Sequence, residues 1–553
     1  MIKEKKKVVS LFENELQNLS IPKMAIFGTE SAIKVPFFRK NLTLASFSSG
    51  QEAEFKQIDD AGHTAILEAD DTQLDTKHVQ RIAVLFSGGP AAGGHNVVAG
   101  LKAMLPEPHV LFGVKAGPKG LLAGDLFELS TDLVQQKANL GGFDLLGSDR
   151  TKIKSDAQFE QVEAVVKRFK LTGLVVVGGD DSNTNALFLA DRLLPLGCKV
   201  IGVPKTIDGD LQLGTYLPIS FGFDTACKVY AELVGNILQD TPSSRKYWHF
   251  VKLMGRSASH IALEVALKTQ AQYCVISEAV LKEGLTLADL ATRIADVIRQ
   301  RHDAGKNYGV VLIPEGLIEF IPEFRRLISH LNRVMGRLEN QCRGLDAQAR
   351  LTLFQSELDA DDVALLNSLP SEVRACLMMD RDSHGNVQVS QIPTELLLIH
   401  AVKAALGETL PCHTNQHFFG YEGRCAAPSR FDAAFTFNLG LCAAALLLNE
   451  KSGYMAAISD LNSGGKAYGL PLAAMVQKEA RGDAEVMVIE KALVDLESPA
   501  YLAWQALQAE RDVTQDDFLH PGPIQFFGPE RLTHSLPKTV CLNQGYSDEY
   551  FSF

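Results

Sequence analysis

Between residues 81 and 316 one pattern recurs, and it leaves few folds open: an apolar run breaks off at a loop of glycine or charge. Arg81–Phe86 runs into Ser87-Gly88-Gly89-Pro90-Ala91-Ala92-Gly93-Gly94, ahead of a helix-like Asn96–Met104. Leu174–Val177 runs into Gly178-Gly179-Asp180-Asp181-Ser182-Asn183, ahead of Thr184–Leu194. Lys199–Val203 runs into Pro204-Lys205-Thr206-Ile207-Asp208-Gly209-Asp210. Phe250–Leu253 runs into Met254-Gly255-Arg256 and a helical Ser257–Lys268, and Gly309–Ile313 into Pro314-Glu315-Gly316. Apolar runs without alternation suit strands covered on both faces. Strands alternating with helices predict parallel sheets with helices on both faces, an α/β fold. Ligands of such sheets bind beyond the carboxyl ends of the strands. All five loops sit at such ends, so the pattern predicts an enzyme in which they converge on one cleft.

The rest of the chain is organised around this core. Residues 1–78 carry no strong motif, include the polar stretch Ser48–Glu52, and predict an N-terminal extension packed on the main body. One α/β domain is expected over 79–240, with about 425–485 returning to it, and a second over 241–424. The second holds a helical insertion at about 325–405, with a turn at Asp382–Asn386; residues 486–553 form a C-terminal segment with an aromatic tail. The formal net charge of −12, from 54 Lys+Arg against 66 Asp+Glu, disfavours general nucleic-acid binding. The longest apolar run, Leu439–Leu448, is about half of the roughly 20 residues that a membrane span needs. Nine dispersed cysteines without a C-x-x-C pair argue against a disulfide framework and a structural zinc site. The start is rich in lysine but leads into Leu11-Phe12-Glu13-Asn14-Glu15, which is no signal-peptide core. A reducing cytoplasm is expected.

Each loop allows two readings. Gly88–Gly94 can bring backbone N–H groups close to an anion ahead of a helix N-terminus, or can be only a tight turn. Asp180 and Asp181 can hold Mg²⁺, a hard ion that takes oxygen ligands, or can cap a helix. Asp208 and Asp210, with Lys205 before them, can supply a general base and a charge-neutralising cation, or form a solvated turn. Arg256 offers a planar fork to phosphate oxygens. A second Met-Gly-Arg, Met335–Arg337, lies in a charged helical stretch with no strand before it and is read as chance. Gly420-Tyr421-Glu422-Gly423-Arg424 reads as a turn carrying one aromatic and one cation.

Taken in order, GGP-x-x-GG-x-N, GGDDS-x-TNA, PKTIDGD, FGFDTA (Phe221–Ala226), MGR, PEG and GYEGR resemble the phosphofructokinase family. Within it they are similar to the long, pyrophosphate-dependent group that includes the plant catalytic beta subunit. The motifs run from Gly88 to Arg424. The resemblance implies a phosphofructokinase-like fold of two doubly wound α/β/α domains with parallel sheets. It implies reversible, Mg²⁺-dependent phosphorylation of fructose 6-phosphate at the 1-hydroxyl by pyrophosphate. Asp208 would be the base, with Lys205, Asp181 and Arg256 as further catalytic residues and Asp180 as the metal ligand. Gly88, Gly89, Lys205 and Arg150 would hold diphosphate. Thr206, Ile207, Asp208, Met254, Gly255 and Arg256 would bind the sugar phosphate, with Glu315 on the sugar hydroxyls and Tyr421, Glu422, Gly423 and Arg424 gripping the phosphate. Lys246 and Tyr247 stand where relatives reach across from a neighbouring subunit. That implies a homo-oligomer, a dimer or larger, with a shared active site and no nucleic-acid or membrane partner.

Two positions bear on the donor. ATP-using relatives carry glycine where this chain has Asp181 and Lys205. Two unit charges about 4 Å apart at an effective dielectric near 20 repel by about 4 kcal/mol, so the Asp181 carboxylate is expected to exclude a nucleotide phosphate. Lys205 would add charge beside pyrophosphate. The competing readings are an ATP-dependent 6-phosphofructokinase, a lipid or NAD kinase with a GGDG-like loop, a silent regulatory subunit, and a kinase of a longer sugar phosphate such as sedoheptulose 7-phosphate. Asp181 and Lys205 speak against the first, the full motif set against the second, and the presence of Asp208 and Lys205 against the third.

Overall fold

Apolar strand runs without alternation have to be buried on both faces, and the chain builds two sheets that do so. The computed structural model describes residues 11–29, 32–43, 65–74, 78–342, 344–379, 391–408, 410–481, 484–522, 533–547 and 549. Ser48–Glu52, the turn at Asp382–Asn386 and the aromatic tail lie outside the described residues. The chain divides into two units: 1–228 with 421–492 and 524–553, and 229–420 with 493–523.

In the first unit the strands Val110–Val114, Arg81–Phe86, Gly173–Gly178, Lys199–Thr206 and Tyr454–Ser459 lie side by side and parallel. They form the centre of a 10-stranded sheet. Antiparallel strands close both ends, Leu126–Glu128 on one side and Lys466–Pro471, Ala65–Gln73 and Pro36–Thr43 on the other. Pro36–Thr43 and Ala65–Gln73 are therefore part of the sheet rather than an extension laid on it. Their polar and charged positions on a part-exposed edge conceal the strand pattern. All six residues of the Gly173–Gly178 run are buried, as are Ile82–Phe86. Each fully buried Val or Leu contributes roughly 1.5–3 kcal/mol of transfer free energy.

The helix Arg430–Leu448 crosses the helix Gly94–Met104 beneath this sheet. Among the described residues it is the one helix long and apolar enough to cross a membrane, but 94% of its most apolar window is buried inside the fold. It is a core helix. Two glycines set the crossing distance. A Cβ on Gly100 would stand 2.0 Å from the Phe437 carbonyl oxygen, and one on Gly440 would stand 2.2 Å from that of Val97. The Asp432 carboxylate near its start accepts the N–H groups of Gly222 (3.1 Å) and Thr225 (2.8 Å), tying the FGFDTA segment to this core. Burial, with Asp224 close by, raises the pKa of that carboxyl. Gly100→Ala is expected to destabilise the protein by about 2–3 kcal/mol through overpacking. Gly336→Ala, in a helix with nothing within 4 Å of the new methyl, should be neutral or slightly stabilising. Chemical denaturation midpoints of the two variants decide it.

The second unit is built on four parallel strands in the order Tyr273–Cys274, Gly309–Pro314, Trp248–Leu253 and Thr414–Phe419. The expected insertion is helical: Pro322–Cys342, Ala347–Gln355, Ala360–Ser368, Ser371–Leu377 and Thr394–Leu406 share one core with Trp248, Phe250, Phe324 and Phe354. The second Met-Gly-Arg lies within Pro322–Cys342, as chance recurrence predicts. Three boundaries differ from expectation. The division at 228 falls inside the continuous helix Phe223–Ser244, where no turn chemistry marks it, rather than at 240. Residues 421–424 belong to the first unit, and 486–553 are shared between the two units rather than forming a segment of their own.

Candidate active site

In the first unit, three adjacent parallel strands bring their loops to one edge of the sheet. Gly88 takes φ +85°, and a Cβ there would stand 3.1 Å from Lys205 Nζ. A Cβ on Gly89 would stand 3.0 Å from Arg424 Nη1. Glycine is thus what lets the backbone lie against two cations. The Gly88 N–H does not face an anion: it donates to the Asp149 carbonyl at 3.0 Å, and the Ser148 hydroxyl donates to the Gly88 carbonyl. Segment 147–150, with Arg150, is thereby fixed alongside the loop.

The second loop differs from its expected form. The helix begins at Asp180 rather than Thr184, so both aspartates occupy its first turn, where free N–H groups and the dipole favour negative charge. The Asn183 side-chain amide donates to the Gly178 and Gly179 carbonyls at 2.6 and 2.9 Å, and the Ser182 hydroxyl donates to Ser87 Oγ at 2.8 Å. The entry of the helix is therefore rigidly tied. Asp180 Oδ2 lies 3.5 Å from Lys491 Nζ, and Asp181 Oδ1 lies 2.6 Å from Lys152 Nζ.

In the third loop the strand continues through Lys205 and Thr206, paired with Phe221–Gly222. Lys205 is buried. Its pKa is lowered to about 8, by burial first and then by Arg424 and Arg150, against the opposing pull of Asp208 and Asp180. Thr206 Oγ1 accepts the Asp208 N–H at 3.1 Å. Asp208 and Asp210 are both buried. Burial, then Asp208 and Asp180, raise the pKa of Asp210, while Lys491 counters them. Ile207 is buried in the core, so it offers the site its backbone only. Tyr421–Arg424 is a four-residue helical turn; Tyr421 is 63% exposed, with the Arg424 guanidinium 5.6 Å from its ring centroid. Glu422 is exposed and Gly423 buried.

In the second unit the ends of three strands meet. The Met254 N–H donates to the Phe419 carbonyl at 3.0 Å and the Glu315 N–H to that of Leu253 at 2.9 Å. Gly255, at φ +130°, donates its N–H to Glu315 Oε2 at 2.9 Å. A Cβ on Gly316 would fall 1.9 Å from the Arg256 carbonyl oxygen, so PEG and MGR fit only as glycine-bearing loops. Met254, Gly255 and Glu315 are buried while Arg256 is exposed. Lys246 and Tyr247 are exposed at the other end of the strand Trp248–Leu253. Six residues of strand put them about 20 Å from the Met254 loop. The five loops expected to converge are thus gathered as three in one unit and two in the other.

Sequence reasoning missed Lys152 and Lys491. The first sits in Thr151-Lys152-Ile153-Lys154, the second in Glu490-Lys491-Ala492, and neither context differs from that of a solvated lysine. The nearness of Lys152 to Arg150 was the one available signal.

Adjacent strand ends carrying a buried lysine, arginines, paired glycines and helix-first-turn carboxylates define a phosphate-handling α/β protein. The phosphofructokinase profile matches residues 81–447, and the chain belongs to the phosphofructokinase family. Its similarity to the pyrophosphate--fructose 6-phosphate 1-phosphotransferase of Treponema pallidum is 47% identity over 480 residues, covering 84% of this chain and 83% of that one. Similarity to the beta subunit of the enzyme of that name from Ricinus communis is 41% over 480 residues, covering 84% and 85%. The solved pyrophosphate-dependent phosphofructokinase of Nitrosospira multiformis matches with TM-score 0.51 at 16% identity, over 74% of this chain and 85% of that one, a likeness of fold.

Proposed function

We propose that the chain transfers a phosphoryl group reversibly between pyrophosphate and the 1-hydroxyl of fructose 6-phosphate. The observation that carries this is the constellation in the first unit: buried Lys205 beside Gly88 and Arg424, with Asp208 and Asp180 close enough to perturb its charge. Phosphoryl transfer needs alignment and charge neutralisation more than covalent chemistry, and these residues supply both. The names of the relatives give the substrates. Lys205 and Arg150 neutralise the pyrophosphate, and Asp208 accepts the proton of the attacking hydroxyl. In the second unit Met254, Gly255 and Arg256 take the sugar phosphate, with Glu315 holding the Gly255 amide in place; in the first unit Tyr421 and Arg424 offer an aromatic ring and a cation to a phosphate. Asp181 denies room to a nucleotide.

A magnesium ion fits the donor set. Asp180 offers a hard carboxylate oxygen within a group of acids, and an ammonium already lies 3.5 Å from it, so the place favours a cation. Bound there, the ion would neutralise charge on the phosphates. Lys246 and Tyr247, exposed and a strand's length from the Met254 loop, fit a site completed by a second copy of the chain, a dimer or larger assembly. A reducing cytoplasm is the proposed setting; among the described residues eight cysteines are free thiols.

A coupled assay with fructose 6-phosphate and Mg²⁺ is expected to give turnover with pyrophosphate and little with ATP; the reverse preference ends the donor reading. The protonation of Lys205 gives a second test. Below about pH 8 its ammonium is intact and holds pyrophosphate; above that it is lost. The kcat/KM for pyrophosphate should therefore fall by up to about tenfold per pH unit above 8. Lys205→Arg, which keeps its charge throughout, should lack that limb. Identical profiles for the two proteins would assign the limb to pyrophosphate itself.

A further inference from the structure

The expectation that Asp181 turns nucleotides away by bare charge meets an obstacle: its carboxylate is already in an ion pair. Lys152 Nζ stands 2.6 Å from Asp181 Oδ1, and the side chains are only 24% and 35% exposed. At that distance the bond is charge-assisted and partly sheltered from water, unlike a free surface pair.

The surroundings hold Lys152 in place on both sides. On its N-terminal side, Asp149 is bridged to Ser87 and takes the Gly88 N–H, which fixes that segment to the glycine loop. On its C-terminal side, Ile153 donates its N–H to Asn185 Oδ1 at 3.1 Å, and its carbonyl accepts from Asn185 Nδ2 at 2.9 Å. Asn185 lies four residues after Asp181 on the same helix, hence on the same face. The reciprocal amide bonds therefore set the backbone of residues 152 and 153 against the helix face that carries Asp181. Ile153, 3% exposed, anchors the segment in the core. A lysine whose backbone is clamped in this way loses little further freedom in closing on a carboxylate.

We propose that Lys152 is a specificity-determining positioning residue: it pins the Asp181 carboxylate and cancels its charge, so a nucleotide is refused by filled volume, not repulsion, while inorganic pyrophosphate is admitted. The inference rests on the reading that pyrophosphate is the donor. Two consequences separate it from exclusion by charge. Asparagine at 181 keeps the shape and an oxygen for Lys152 to donate to, so it should still exclude ATP. Removal of Lys152 should leave an uncompensated carboxylate facing pyrophosphate.

The test uses the full chain and compares wild type with Lys152→Ala, Lys152→Met, Lys152→Arg, Asp181→Asn, Asp181→Gly and the Lys152→Ala/Asp181→Asn pair. The readouts are KM and kcat for pyrophosphate, the ratio of kcat/KM for ATP over pyrophosphate, and calorimetric binding of methylenediphosphonate. Lys152→Ala and Lys152→Met are expected to weaken diphosphonate binding and raise the pyrophosphate KM by about tenfold, within the range of coupled neighbours, with kcat changed far less; Lys152→Arg restores both. Asp181→Asn should keep the donor ratio within about threefold of wild type, whereas the unpinned double variant and Asp181→Gly should each raise it by about tenfold or more. The proposal fails if Asp181→Asn alone admits ATP as well as Asp181→Gly does, or if neither Lys152→Ala nor Lys152→Met moves the pyrophosphate KM beyond twofold. A wild-type protein that runs on ATP and not on pyrophosphate removes the donor reading itself; wild-type pyrophosphate activity with unmoved variant ratios removes only the role of Lys152.

Discussion

Asp208→Ala is expected to cost about 10²–10⁴-fold in kcat while the dissociation constant for fructose 6-phosphate changes by less than about threefold. The sugar hydroxyl loses its proton as it attacks, and a group that takes that proton acts in the transition state, so its loss falls on kcat. Two buried acids compete for the role. Burial, and then the neighbouring Asp208 and Asp180, raise the pKa of Asp210, so the choice between them rests on how each is held. Asp208 has its backbone N–H held by Thr206 Oγ1 at the end of a strand that carries Lys205 in its penultimate position. It is thus placed by the most rigid element of the loop, and Asp210 follows after the glycine at φ +75°. Asp210→Asn should cost less than Asp208→Asn. Rapid-quench turnover with equilibrium binding of the sugar phosphate decides it: a loss below tenfold for Asp208→Ala, or a larger loss for Asp210→Asn, would move the base to another residue.

The strand ends were legible because each is announced by a change of chemistry, from β-branched and other apolar residues to glycine, proline and acid. Arg81–Phe86, Gly173–Gly178 and Gly309–Pro314 fall within a residue of their expected bounds for that reason. What escaped notice depends on contacts across the chain. The strand Ala65–Gln73 has only Ala65-Ile66-Leu67 as an apolar start before Glu68, Asp70 and Asp71, yet it pairs with Lys466–Pro471 on one side and the edge strand Pro36–Thr43 on the other. The helix starting at Asp180 was read too late because Asp, Ser and Asn are poor helix interiors but good first-turn residues. The candidate site residues stand out as motifs, but the charges that surround them do not. Lys152 and Lys491 lie 29 and 311 positions from the aspartates they meet, and no local spacing points to them. The backbone cradle expected of Gly88 fails for the same reason: Asp149 takes its N–H.

Asp181→Gly combined with Lys205→Gly is expected to reverse the donor preference, lowering kcat/KM for pyrophosphate by about 10²–10³-fold and bringing ATP turnover above it. Each substitution acts on a different part of the donor. Lys205 is buried with Gly88 at its Nζ and Arg424 and Arg150 near enough to depress its pKa, so it is held charged against neighbours of its own sign. That arrangement is costly without an anion and is relieved when pyrophosphate arrives, so removal of Lys205 weakens the small donor most. A nucleotide can draw binding from its sugar and base and depends less on that one charge. Asp181→Gly opens the volume, and it also parts Lys152 from the carboxylate 2.6 Å from its Nζ. The same ammonium that kept Asp181 in place then offers a cation to the phosphate that enters. Adding Lys152→Ala to the double variant should for this reason cut its ATP turnover by about tenfold, as loss of a partly buried charge partner does. Steady-state kinetics with both donors on the three proteins measures each step. A double variant that keeps pyrophosphate turnover within tenfold of wild type and still refuses ATP would show that neither Asp181 nor Lys205 chooses the donor.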